Sequence, residues 1–459
     1  MKGPPQVLWR RLVALAAIAS AALAVLLLLN VGGWRARIVA RLLRVNNGPV
    51  VVPPPPDFQP QVPAGFKVSV FATGFGNPRW LAVAPNGDVF VADSAAGEVV
   101  VLRAPGSQCR GESREIFARH LNLPFGIAFH DDNVYVANTN EVLRFRYDPK
   151  TSKRLSDAEH ILELPRKGYH QHWTRSLALS LDGRRLFVSV GSSSNVSIES
   201  DPRRATILVA DPAGKNMQIY ASGLRNAVGI AVNPQSGDLW ATVNERDNIG
   251  DDVPSDYFTH VIEGGFYGWP YSYTGRNVDN RVAARPDLVA KAIVPDVLLE
   301  AHVAPLQFVF YEAQQFPSTY WHGAFVAEHG SWNRHLRSGY QVVFIPFRNG
   351  FPAGEPMPFF SGFVPDPAGQ DVYGRPVGVA VEPDGSLLIS DDGKKLIWRV
   401  SYNNPDPTLL RGPTGQESES KLASYVGYLI VDAVLKSRLS SGPSHFGDPT
   451  HRRFLGSSN

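Results

Sequence analysis

The fold is decided by RPVGVAVEPDGSLLISDDGKKLIWRVSY, residues 375–402. Apolar and small or polar residues alternate in VGVAV, SLLIS and LIWRV, and the runs are separated by the turn sequences P-D-G and D-D-G-K-K. Period-two alternation bounded by turn residues reads as consecutive β-strands. Working outward, the same grammar recurs in NPRWLAVAPNGDVFVADSAAGEVVVLR from Asn77, LPFGIAFHDDNVYVANTNEVLRFRY from Leu123, TRSLALSLDGRRLFVSVGSSS from Thr174 and RNAVGIAVNPQSGDLWATVNERD from Arg225. Each unit has a short strand of the type G-[ILV]-A-[VF], a P-x-G or D-D turn, a second strand and a polar loop. The spacing is about fifty residues, the scale of a propeller blade. The long interval 275–345 has room for an insertion and one more blade, which HGAFVAEHGSWNRHLRSGYQVVFIPF fits. The reading is all-β: a six-bladed β-propeller over residues 65–402, one blade irregular, with a central channel.

Outside that span the chain changes character. LVALAAIASAALAVLLLLNV, residues 12–31, is uncharged and about long enough to span a bilayer. It follows a basic stretch, 1–11, and predicts an N-terminal transmembrane helix, with a cleaved signal peptide as the competing reading. Basic residues flank it on both sides (Lys2, Arg10, Arg11; Arg35, Arg37, Arg41, Arg44), so charge does not orient it. Residues 32–64 form a juxtamembrane piece and a Pro-rich linker containing PPPP. The tail, 403–459, loses the repeat, and KLASYVGYLIVDAVLKSRL within it reads as an amphipathic helix. The net charge of +3 argues against a nucleic-acid surface. One cysteine, Cys109, excludes an intramolecular disulfide and a cysteine-based metal site.

The innermost strand of each blade lines the channel, so residues just before it sit at one mouth. Arg79, His172, Arg175, Arg225, Asn226 and Arg375 all fall there. Ion pairs between blades would account for any one of these arginines. Several cations facing one mouth repel each other, and an anion bound among them relieves that.

HWTRSLALSLDGRRLFVSVGSSSN, ASGLRNAVGIAV, WATVNERDNIGDD, EGGFYGWPYSY, FVAEHGSWNR and GRPVGVAVEPDGSLLISDDG together resemble the glucose/sorbosone dehydrogenase family, most closely its membrane-bound sorbosone branch. The resemblance implies a six-bladed propeller that oxidises a sugar or sugar aldehyde with pyrroloquinoline quinone (PQQ) and Ca²⁺. It implies His172 as general base, with His170 at the wrong spacing, and Arg225 against the quinone oxygen, with Asn226 beside it. It implies Arg375 on a cofactor carboxylate, with Arg79 adding charge. A lysine of the glucose branch is missing here, and His329 or Arg334 takes its place. Backbone carbonyls of Glu245 and Arg246 would hold calcium, in a register uncertain by one, with the carboxylates of Asp247, Asp251 and Asp252 as alternatives. Trp173 and Trp332 are either stacking surfaces or core packing. The resemblance further implies a periplasmic catalytic domain that passes electrons to a respiratory quinone or cytochrome. Two other readings stay open: a calcium-dependent propeller lactonase, and a membrane-tethered binding module without activity.

Overall fold

The structure, a computed structural model, describes residues 45–103, 114–166 and 172–403, together with Leu15, Ser20 and Ile38. Each repeat becomes one antiparallel four-stranded sheet, and six such sheets occur among the described residues. Their inner strands are Pro78–Val83, Ile127–His130, Leu177–Leu179, Ala227–Val232, Pro305–Phe310 and Pro376–Val381. Each inner strand touches the next, and the last touches the first, so the sheets close into a ring. These are blades 1 to 6 below.

The second strands Val89–Asp93, Leu186–Val190, Leu239–Val243, Ala324–Glu328 and Leu387–Asp391 are buried at every position. A blade is covered on both faces by its neighbours, so both sets of alternating side chains leave water. That is why VFVAD, LFVSV and LWATV carry bulky apolar residues with little polar interruption. Burial of both faces supplies the main stabilisation, at about 25 cal/mol per Å² of apolar surface.

The glycine of the repeat answers to crowding at the axis. A Cβ on Gly229 would stand 2.2 Å from the Leu306 carbonyl oxygen, and one on Gly378 would stand 2.2 Å from that of Arg79. Adjacent inner strands can approach this closely only where one has no side chain. Blade 5 has no such glycine. Its Gln307 instead reaches to blade 1, where it accepts from the Leu81 amide at 3.0 Å and donates to the Leu81 carbonyl at 2.8 Å. This explains why its inner strand, PLQFVF, escaped the repeat pattern.

The ring is shut by the start of the domain. Phe66–Thr73 pairs antiparallel with Leu396–Tyr402 as the outer strand of blade 6, and the Asn403 amide donates to the Gly65 carbonyl at 3.0 Å. The insertion lies between the third and fourth strands of blade 4 and holds the hairpin Ser272–Tyr273/Asn277–Val278 and the helical turn Pro286–Val289. The apolar run 12–31, apart from Leu15 and Ser20, lies outside the described residues, as does the tail beyond 403. Among the described residues no helix is long and apolar enough to cross a membrane; the expected transmembrane helix falls outside them.

Candidate active site

A cavity of about 330 Å³ is lined by Arg79, His172, Trp173, Arg225, Asn226, Asn244, Glu245, Asp247, Asp256, His302, His329, Trp332, Asn333 and Arg375, among others. Two kinds of position feed it. One is the entrance to the inner strand, which supplies Arg79, His172, Arg225, Asn226, His302 and Arg375. The other is the end of the second strand, which supplies Asn244, Glu245, His329 and Asn333. In blades 1, 4, 5 and 6 the inner strand opens with a register shift, between Pro78 and Leu81 in blade 1. Such irregularities re-aim a side chain, and Arg79, Val228 and Leu306 sit within them and line the cavity.

His172 is 4 % exposed. Its Nδ1 lies 3.0 Å from the Ser192 carbonyl and 2.9 Å from Ser192 Oγ. Ser192 Oγ donates its own hydrogen to the Ser194 carbonyl, so both Ser192 oxygens act as acceptors towards the ring. Nδ1 therefore carries the proton, and the lone pair belongs to Nε2. Burial, then the Arg225 charge, holds His172 well below the usual histidine value, so it is neutral at pH 7. Arg175 does not line the cavity. It is buried behind His172 and donates to the carbonyls of His172 at 3.0 Å and Thr174 at 2.7 Å. It braces the loop instead of facing an anion.

The three cavity arginines differ in what they have to offer. Arg225 gives Nε to the Asn195 carbonyl (3.1 Å), Nη1 to the carbonyls of Glu245 (2.6 Å) and Asn244 (3.3 Å), and Nη2 to Asn195 Oδ1 (3.0 Å) and Asp247 Oδ2 (3.1 Å). All its donors are directed at the protein. It holds its loop and contributes charge, and the expected contact to a quinone oxygen has no donor left. Arg79 is paired with Asp392 and lies over the rings of Phe125 and Trp173, 5.5 Å from each centroid. Trp173 is thereby engaged in packing. Arg375 donates through Nε to the His329 carbonyl at 3.3 Å. No acceptor among the described residues meets its Nη atoms. Burial lowers its pKa, a cost that an anion would relieve.

His329 Nε2 lies 2.9 Å from Asp392 Oδ1. Burial, then Arg375, lowers His329 to about 4. Burial opposes ionisation of Asp392, but His329, then Arg79 and Arg375, outweigh it and hold the carboxyl well below the usual carboxylate range. Asp256 accepts the Glu245 amide at 2.7 Å and the Ala304 amide at 2.8 Å, yet burial pushes it up to about 8. Three guanidiniums, Arg79, Arg225 and Arg375, thus line the cavity, with Asp247 bound to Arg225 and Asp392 to Arg79. The buried Oδ1 of Asn226 has no hydrogen-bond partner. A planar polyanion fits this cavity.

Two expected residues lie elsewhere. Arg334 is outside the lining and pairs with Asp252 at 2.7 Å. Arg246 is wholly buried behind the wall, bound to Glu245 at 2.9 Å and Asp279 at 3.0 Å. The carbonyls reached from the cavity by Arg225 are those of Asn244 and Glu245, one residue earlier than the expected pair. In this structure the Arg225 guanidinium rests on these two carbonyls. Asp251 pairs with His335 and Asp252 with Arg334, both on exposed loops. Asp392, Asn333, His302 and Asn195 were not foreseen. The position after the second strand, SDDG in blade 6 and EHGSWN in blade 5, was the repeat signal that marks Asp392 and Asn333. His170 lies outside the described residues.

The sequence profile of the TrAA12-like family matches residues 60–280 and 273–403. An uncharacterized protein of Borreliella burgdorferi is 29% identical over 74% of this chain and 90% of its own length. A pyrroloquinoline quinone-dependent sugar dehydrogenase of Hypocrea jecorina is 25% identical over 54% of this chain and 69% of its own. Among solved structures, the holo form of the pyranose dehydrogenase PQQ domain of Coprinopsis cinerea superposes with a TM-score of 0.63 at 21% identity, covering 76% of this chain and 98% of that one. That likeness establishes the fold.

Proposed function

Because this chain belongs to the TrAA12-like family, we propose that it binds PQQ in the axial cavity and oxidises a sugar or sugar aldehyde of the aldose or sorbosone type. One observation carries the reading: Arg375 presents unmatched guanidinium donors to the same cavity that His172 lines as a neutral base. Arg375 holds a cofactor carboxylate, with the fork geometry that suits it. Arg79 and Arg225 lower the energy of the bound anion through their charge.

PQQ, when bound, would supply the acceptor for the hydride that leaves the sugar carbon. The chain's own residues do the rest. His172 takes the hydroxyl proton at Nε2 as the sugar C–O bond becomes a carbonyl, and its Nδ1–H on Ser192 fixes the ring for that transfer. The imidazolium that results is short-lived beside Arg225, which favours release of its proton to solvent. Arg225, pinned by Asn195 and Asp247, keeps its charge at a set place through the reaction.

Reconstituting the full chain with PQQ and following dye reduction with aldoses and sorbosone tests this; turnover is expected, and its absence at saturating PQQ overturns the reading. A calcium-dependent lactonase needs a carboxylate ligand set, and among the described residues no group of three or more His, Cys, Asp or Glu could hold a metal. The same proposal places the propeller on the periplasmic side of the cytoplasmic membrane, tethered by the apolar run 12–31, with electrons passing to a respiratory quinone or cytochrome. Alkaline phosphatase fused after residue 60 is expected to be active; an inactive fusion puts the domain inside.

A further inference from the structure

The chain before the propeller is bound to the rim of the cavity. The Asn47 amide donates to the Trp332 carbonyl at 2.7 Å. Its side-chain Nδ2 donates to the carbonyls of Arg334 at 3.1 Å and His335 at 3.2 Å. Arg337 returns the contact, giving Nη2 to Asn47 Oδ1 at 3.2 Å and to the Gly48 carbonyl at 3.3 Å. One asparagine thus bridges both ends of the turn 332–337. The next residues continue the attachment: Val50–Val51 pairs parallel with Asp371–Val372, just ahead of Arg375.

The turn held in this way carries Trp332 and Asn333, which both line the cavity. Asn333 Nδ2 donates to Asp247 Oδ1 at 2.7 Å, and the other oxygen of Asp247 takes Arg225 Nη2 at 3.1 Å. A line of hydrogen bonds therefore runs from the segment before the propeller, across two blades, to a guanidinium in the site. Loops that carry functional side chains are usually fixed by the scaffold beneath them. Here a turn of the wall is fixed from above, by chain that belongs to no blade.

We propose that residues 47–52 brace one wall of the active site, with Asn47 as the positioning residue that sets the Trp332–Arg337 turn and, through Asn333 and Asp247, the Arg225 guanidinium. The assay on cofactor rests on the PQQ reading above; the assay on the turn does not. Asn47→Ala in the full chain removes the two side-chain donors and the acceptor but keeps the backbone contact. Each lost hydrogen bond corresponds to about a fivefold effect.

In the cofactor-free protein, hydrogen exchange of amides 332–337 is expected to quicken about tenfold, with amides of blade 2 unchanged. PQQ titrated against tryptophan fluorescence is expected to bind about fivefold more weakly to Asn47→Ala, with Tm moved by no more than about 2 °C. The double variant Asn47→Ala/Asn333→Ala is expected to bind PQQ no more weakly than Asn333→Ala alone, as residues acting in one line require. Unchanged exchange in the turn, or fully additive losses in the double variant, overturns the proposal. If Asn47→Ala does not fold, Asn47→Asp, which keeps the arm to Arg337, decides by the same exchange measurement: the turn must still loosen. Failure of the unaltered chain to bind PQQ would sink the cofactor reading, and the exchange result would still decide this one.

Discussion

Replacing Arg375 with glutamine tests the electrostatic reasoning most directly. Glutamine keeps most of the side-chain length and removes the charge. In the free protein the Arg375 side chain makes one hydrogen bond, from Nε to the His329 carbonyl at 3.3 Å, lies 5.9 Å from the Tyr340 ring centroid and has no ion pair among the described residues. Its Nη donors face the cavity unmatched, whereas Arg79 is neutralised by Asp392 and all the donors of Arg225 are taken. The loss on binding a carboxylate is therefore that of a charge-assisted pair in a half-buried site, about 2–3 kcal/mol. This converts to roughly 30- to 150-fold in Kd. Stability should not fall with it, because burial already depresses the guanidinium and removing it lifts that cost. The assay is PQQ titration of the cofactor-free chain followed by tryptophan quenching, at low and moderate salt. Binding to the unaltered chain should weaken with salt more steeply than binding to Arg375→Gln. A change in Kd below about threefold, with Tm unaltered, would refute the assignment of Arg375 as the anion's principal contact.

Three further outcomes follow from the same geometry. His172→Ala should lower kcat by about a hundredfold to ten-thousandfold with PQQ still bound; because the folded-state value of His172 is depressed, its base form is retained at and below the ordinary histidine range, so the acid limb of kcat/KM should fall below pH 6.5, and a limb at or above that value counts against it. Glu328 is buried and pushed up to about 8, so it is folded as the neutral acid and its stability contribution is lost as pH rises through that value. Glu328→Gln should therefore raise Tm by about 2–4 °C at pH 8.5 and by almost nothing at pH 5, and the same gain at both pH values would contradict the sign. Gly378→Ala places a Cβ 2.2 Å from the Arg79 carbonyl, so thermal melts should show a loss of at least about 2 kcal/mol, together with weaker PQQ binding as Arg79 is displaced; a neutral substitution would show that the seam can open.

The propeller was legible because its signal is repeated: a glycine demanded by strand crowding and a second strand buried on both faces both leave marks in the sequence, as in Gly229 and Leu239–Val243. Blade 5 hid its inner strand because it lacks the glycine that Gly126, Gly229 and Gly378 supply in blades 2, 4 and 6, and Gln307 reaches to Leu81 by its side chain instead. Of the site, the entrance residues Arg79, His172, Arg225, Asn226 and Arg375 do meet in one cavity, and so does His329. What the sequence did not reveal was pairing. Nothing local shows that Arg79 meets Asp392, that Arg225 spends its donors on Asn195 and Asp247, or that Arg334 turns to Asp252. Asp247 returns from the far end of the same blade, Asn195 and Asp252 come from the adjacent blades, and Asp392 comes within reach of Arg79 only when the ring closes. Arg246 was misplaced by one residue for a related reason: strand ends alternate sides, so a shift of one exchanges cavity for interior.

The ion pair of Arg79 with Asp392 crosses the seam at which blade 6 meets blade 1. The two residues are 313 positions apart. A ribosome making this protein therefore releases Arg79 long before its counter-ion exists, and until then only water solvates that cation. Binding competence must arrive late and all at once, when Leu396–Tyr402 zips against Phe66–Thr73, which makes cofactor capture a reporter of completed manufacture.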